Sequence, residues 1–135
     1  MWYNSLITYK QNLQINARGR GICWSCFHPH FSDEEFEKAV RYCRIRGCKV
    51  YVTMNTLVGD REMEQAAELA RRVSDLGADA ILVQDIGLLS VLKRIVPDIP
   101  LHASTQMSIH DLAGVEAAAE MGLTRAVLAR RRRRT

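Results

Sequence analysis

Val50-Tyr51-Val52-Thr53-Met54-Asn55 is an apolar run of strand length that stops at polar side chains, and the chain repeats this design three more times. The other runs are Ala80-Ile81-Leu82-Val83-Gln84-Asp85, Leu101-His102-Ala103-Ser104-Thr105-Gln106 and Ala126-Val127-Leu128-Ala129-Arg130. A helical pattern fills each gap. Strands alternating with helices build parallel βα units. In such folds ligands collect beyond the carboxyl ends of the strands. One pattern therefore implies an architecture and an address for chemistry.

The helices between the runs carry explicit start and stop signals. Ser32-Asp33-Glu34-Glu35 has the form of a capping box, with Phe31 and Phe36 at the positions of a hydrophobic staple. Phe36, Ala39, Val40 and Cys43 follow at helical spacing, and Gly47 supplies a left-handed stop. Asp60 is expected to open a second helix with Ala66, Leu69, Ala70 and Val73 on its apolar face, closed by Gly77. Leu88, Leu89, Leu92 and Ile95 form a third stripe, stopped by Pro97 and Pro100. Ser108 or Asp111 opens a fourth, carrying Leu112, Val115, Ala118 and Ala119 and closed by Gly122. From Phe31 the expected order is α-β-α-β-α-β-α-β.

Right-handed crossovers place the four strands side by side and parallel. Their parity adds a second constraint, because alternate side chains of a strand point to opposite faces. Tyr51, Thr53 and Asn55 share one face of the first run, and His102, Ser104 and Gln106 share one face of the third. Gln84 and Arg130 fall on the same side if Leu82 and Leu128 lie beneath them. A doubly wound sheet covers both faces and favours continuous apolar strands. One polar face favours a barrel segment, so the expected fold is α/β, a partial TIM-type (β/α) barrel of about four units. The open sheet edges are sites where another chain could pair.

Length and charge bound the reading. The chain has 135 residues, enough for one domain but short of the roughly 250 of a complete (β/α)8 barrel. Hydrophobic residues make up 47% and charged residues 25%, as in an ordinary globular domain. The net charge of +4 resides in the terminal Arg131, Arg132, Arg133 and Arg134, because the remaining 15 basic residues balance 15 acidic ones. The neutral body, with its whole excess in a terminal tail, argues against a body built to bind nucleic acid. No stretch is long enough to span a membrane, and Met1 to Lys10 lacks the pattern of a secretory signal. Four cysteines without that signal imply reduced thiols and a cytoplasmic location.

Residues 1–30 show no clear period and are read as an irregular or poorly ordered segment, ahead of the barrel segment at 31–130 and an arginine-rich tail at 131–135. Cys23-x-x-Cys26-x-His28-x-His30 has a metal-like composition. Its histidines are too close together, and too close to Cys26, to wrap a tetrahedral ion. The expectation is no metal and no cofactor. Cys43 reads as core packing, and Cys48 as either buried or idle.

Four segments together resemble the collagenase-like peptidase family (class U, family 32). They are Arg41-Tyr42-Cys43, Lys49-Val50-Tyr51-Val52-Thr53-Met54-Asn55-Thr56-Leu57, Ile81-Leu82-Val83-Gln84-Asp85-Ile86-Gly87 and Leu101-His102-Ala103-Ser104-Thr105-Gln106-Met107. The likeness covers roughly residues 31–130. It implies the amino-terminal barrel of a bacterial or archaeal cytoplasmic protein and a peptidase of unassigned catalytic type, acting on a peptide or protein. The family also resembles proteins that take part in hydroxylating RNA bases, and cluster-containing relatives that support oxygen-independent quinone synthesis. RNA-base hydroxylation of tRNA or rRNA is the alternative function, with RNA as the partner; a non-catalytic fragment is the third. The chain departs from the family over residues 1–30 and again at Arg131, where the family continues with glutamate. These junctions suggest a truncated or frameshifted copy with little activity alone.

The candidate catalytic residues are Asp85, Ser104, Gln106 and Arg130, and the candidate substrate-binding residues are Asn55, Gln84 and His102. All but His102 are expected at the strand tips. Ser104, His102 and Asp85 invite a nucleophilic triad. However, His102 and Ser104 stand two apart on one strand, so their side chains run parallel rather than converging. No Gly-x-Ser-x-Gly elbow surrounds Ser104.

Overall fold

The helix signals are realised as local hydrogen bonds. The computed structural model describes residues 6–9, 13–16, 21–25 and 32–130. Helix α1 spans Asp33–Ile45, and its capping box is complete: Glu35 N donates to Ser32 Oγ at 3.2 Å, and Ser32 N donates to the Glu35 carboxylate at 3.1 Å. Phe31, the other half of the expected staple, lies outside the described residues. At the far end Gly47 has φ +67°, Cys48 N reaches Cys43 O at 2.9 Å and Gly47 N reaches Arg44 O at 3.0 Å. That pair of bonds is a Schellman stop. Phe36, Val40 and Cys43 form the buried stripe.

Helix α2 spans Met63–Asp75 and begins later than expected. Asp60 lies in the turn before it, and Glu62 precedes the helix without a side-chain cap. The Glu62 carboxylate accepts instead from Gly59 N, at 3.0 Å. Helix α3 spans Ile86–Ile95 and buries Leu88, Leu89 and Leu92. Helix α4 spans Leu112–Glu120, and Asp111 rather than Ser108 caps it, accepting from Gly114 N at 2.8 Å. Of its expected apolar face only Ala118 is buried, and Leu112 is exposed. The helix is short and alanine-rich, so composition alone overstated its contact with the core.

Among the described residues seven strands form one sheet in the order of the chain: β1 (Leu6–Tyr9), β2 (Leu13–Asn16), β3 (Gly21–Ser25), β4 (Lys49–Met54), β5 (Ala80–Val83), β6 (Leu101–Ala103) and β7 (Arg125–Ala126). The first two joins, β1 to β2 and β2 to β3, are antiparallel, and every later join is parallel. The four expected strands, β4 to β7, thus alternate with helices α1 to α4 as the pattern predicts, and β3 adds a fifth parallel strand ahead of α1. The stretch read as irregular instead supplies three paired strands.

The parallel register fixes the two faces. Val52 pairs with Ile81 and Ile81 with Leu101, while Thr53 pairs with Leu82, Leu82 with His102 and His102 with Arg125. The first row belongs to the core: Val50, Val52, Met54, Ile81, Val83, Leu101 and Ala103 cluster with buried residues of all four helices. Tyr51, Thr53, Leu82 and His102 take no part in that cluster. The strand order never reverses and helices of the chain pack against one face, an α/β arrangement consistent with a partial βα barrel. Among the described residues no helix is long and apolar enough to cross a membrane.

Candidate functional site

Asn55, Gln84 and Ser104 each follow directly on the last residue of β4, β5 and β6, which brings three of the expected residues to one rim. Asn55 and Gln84 are half-buried, with side chains still partly open to solvent. Next to Asn55, Thr56 Oγ1 is a buried polar atom with no hydrogen-bond partner among the described residues.

Asp85 stands at the same rim but is committed to backbone. One carboxylate oxygen accepts from Leu88 N at 2.8 Å and caps α3; the other accepts from Val58 N at 3.2 Å and ties down the loop after β4. The Leu88 bond, aided by those from Val58 and Gly87 and opposed by burial, holds the Asp85 carboxyl below the usual aspartate range. Ser104 is 2% exposed, and its Oγ accepts from Gln106 N at 3.4 Å. It opens a single 3₁₀ turn, Thr105–Met107. That turn ends the strand parity, so exposed Gln106 does not continue the face of His102 and Ser104. Ser108 closes the turn with φ +59°, a left-handed conformation uncommon outside glycine.

Arg130 is placed differently from expectation. The last strand is only Arg125–Ala126, and Ala129 N bonds to Ile109 O at 2.7 Å, so the chain has left the sheet before Arg130. The arginine that belongs to the polar face is Arg125, which pairs with His102. Arg125 Nη1 donates to the Tyr51 hydroxyl at 3.4 Å, and its guanidinium lies 5.8 Å from the Tyr51 ring centre. Tyr51 meets His102 edge to face, with ring centres 5.4 Å apart. His102 is 6% exposed. Burial, and then the positive charges of Arg125 and Lys49, push its pKa below the ordinary histidine value, so the ring is neutral at pH 7.

Sequence reading missed Arg125 because it looked for polar residues only where the strands end, and Arg125 begins β7. The signal available was parity: Arg125 stands one residue before Ala126, on the opposite face from the core row.

The pieces do not make a hydrolytic triad. His102 is engaged by Tyr51, Ser104 by its own turn and Asp85 by two backbone amides. Among the described residues no group of three or more His, Cys, Asp or Glu side chains is arranged to hold a metal. The Cys26, His28 and His30 positions lie outside the described residues, and Cys23 is described only as part of β3. A groove between α2 and α3 is lined by Met63, Ala67, Val91 and Ile95, among others.

A singly wound α/β sheet with amide and hydroxyl side chains at its strand tips defines the class of protein. The chain belongs to peptidase family U32, whose model matches residues 25–132. It is 36% identical over 97 residues to a 23S rRNA 5-hydroxycytidine synthase of Escherichia coli, an alignment covering 72% of this chain and 14% of that protein. It is 31% identical over 101 residues to tRNA hydroxylation protein P1 of Bacillus subtilis, covering 75% of this chain and 24% of that protein. A further relative, at 25% identity over 59% of this chain and 19% of its own length, is an uncharacterized protease of Methanocaldococcus jannaschii. The chain therefore spans between about a seventh and a quarter of these relatives.

Proposed function

We propose that this chain is part of an RNA-hydroxylation protein, contributing a barrel segment whose strand tips face a pyrimidine base in tRNA or rRNA. The observation that carries this reading is the similarity, at 36% and 31% identity, to proteins named for hydroxylating rRNA and tRNA. The chemistry of the rim supports it. Asn55 and Gln84 carry amides that both donate and accept, the groups suited to the polar edge of a base. In this reading Asp85 and Ser104 hold the rim in shape, and Gln106 reaches over it from the turn.

The peptidase reading rests on the family's description and the archaeal relative named as a protease. It has less support, because the three residues it would draw on for hydrolysis are each held by structural contacts.

Deleting the gene and analysing tRNA and rRNA nucleosides by mass spectrometry tests the proposal. One hydroxylated pyrimidine should disappear and return with a wild-type copy. A copy carrying Asn55→Ala and Gln84→Ala should restore it only weakly. Unchanged hydroxylation in the deletion strain, with loss of cleavage of an unfolded peptide, would transfer the assignment to the peptidase.

A further inference from the structure

Five basic residues, Lys38, Arg41, Arg44, Arg46 and Lys49, fall in the span 38–59, which contains no acidic residue. All five are exposed. The body's overall neutrality hides this local excess, which the fold concentrates along α1 and the turn that follows it. Two large apolar side chains stand in the middle of it, Tyr42 at 57% and Ile45 at 77% exposure. Lys38, Arg41, Tyr42 and Ile45 lie three and four residues apart, on one stripe of α1, opposite the buried stripe of Phe36, Val40 and Cys43. Arg46 lies over the Tyr42 ring, 3.5 Å from its centre, and donates to Tyr42 O at 3.2 Å.

Helix stability accounts for part of this. Cations near a helix carboxyl end offset its dipole, Arg41 pairs with Glu37 at 3.2 Å, and Arg44 donates to Gly77 O at 3.2 Å. Those roles do not require an exposed tyrosine carrying a stacked guanidinium, nor an isoleucine in open solvent beside it. Cations that neutralise phosphates, flanking an aromatic face on which a base can stack, are the two components of a single-stranded nucleic-acid surface.

We infer that the outer face of α1, through Lys38, Arg41, Tyr42, Ile45 and Arg46, is an RNA-docking surface separate from the strand-tip rim. This rests on the RNA reading above and adds to it where the polynucleotide is held. The turn after α1 leads into the amino end of β4, so the surface extends to the end of the sheet away from the rim. At about 3.3 Å per residue, six-residue β4 separates the two ends by roughly 20 Å. A single base cannot reach both; a polynucleotide can.

The test uses the full 135-residue chain and a fluorescently labelled, unmodified tRNA transcript, with affinity measured across a salt titration. Replacing Lys38→Gln, Arg41→Gln and Arg46→Gln together removes three charges. At about 0.7 of slope per neutralised phosphate of a single strand, log affinity against log salt should flatten by about 2. Tyr42→Ala should weaken binding without changing the slope, because stacking releases no counterions. Circular dichroism confirms that each variant folds. A companion variant with Arg131→Gln, Arg132→Gln, Arg133→Gln and Arg134→Gln reports on the terminal arginines. The inference is overturned if the triple variant keeps the wild-type slope, if the terminal variant alone abolishes binding, or if the chain binds only anionic lipid vesicles. Loss of the hydroxylated nucleoside on gene deletion is scored separately, so the docking surface can fail while the RNA assignment stands.

Discussion

Asp85 gives the sharpest separation between chemistry and architecture. Replacing it with alanine removes the cap on α3, a loss of about 1 kcal/mol. It also leaves the half-buried Val58 amide without its acceptor, which costs about 1–3 kcal/mol more. The sum, roughly 2–4 kcal/mol, should lower the urea midpoint by about 1–2 M at the slopes usual for small domains. Asp85→Asn keeps one acceptor oxygen and should lose about 1 kcal/mol. The pH dependence gives a second readout. The folded carboxyl titrates below its ordinary value, so its contribution is complete above that value and is lost as pH falls through the folded pKa. Wild type should therefore lose stability in acid more steeply than Asp85→Asn. An Asp85→Ala midpoint equal to wild type would refute the capping account. Asp85→Asn with full stability and abolished activity would move the residue back into the chemistry.

Other consequences can be checked by the same denaturation assay. His102 has a depressed folded pKa, so the unfolded chain takes up its proton first; stability should fall as pH drops below about 6.5, and His102→Phe should remove that component. Leu92 is completely buried, and Leu92→Ala should cost about 2–5 kcal/mol. Gly47 has φ +67° with open space where a Cβ would stand. Gly47→Ala should therefore cost about 1–2 kcal/mol from backbone strain alone, and Gly47→Asn less.

Helices were legible where their signals are chemical as well as periodic. Ser32 with Glu35, Gly47 and the Leu88-Leu89-Leu92 stripe each appear in the structure as read. Asp60 misled because an acidic residue ahead of an apolar stripe resembles a cap, whereas the turn at Gly59 is closed by Glu62. The strands β1 to β3 escaped notice because runs of four or five residues, such as Leu6–Tyr9, are too short to establish a period. At the site, sequence placed Asn55, Gln84 and Ser104 correctly at strand ends. It could not place Arg130, because nothing local shows that β7 stops after two residues. It could not foresee that Asp85 and Ser104 are taken up by backbone amides, since that depends on how the loops return.

A sheet whose strands stand in the order of synthesis has a consequence for assembly. Each ribbon docks beside the one made just before it, from β3 onward with helical chain between them, so pairing never waits for a distant segment. Loop-closure entropy stays small at every step. Emerging from the ribosome, the chain can consolidate unit by unit, each completed pair offering its free edge as the template for the next.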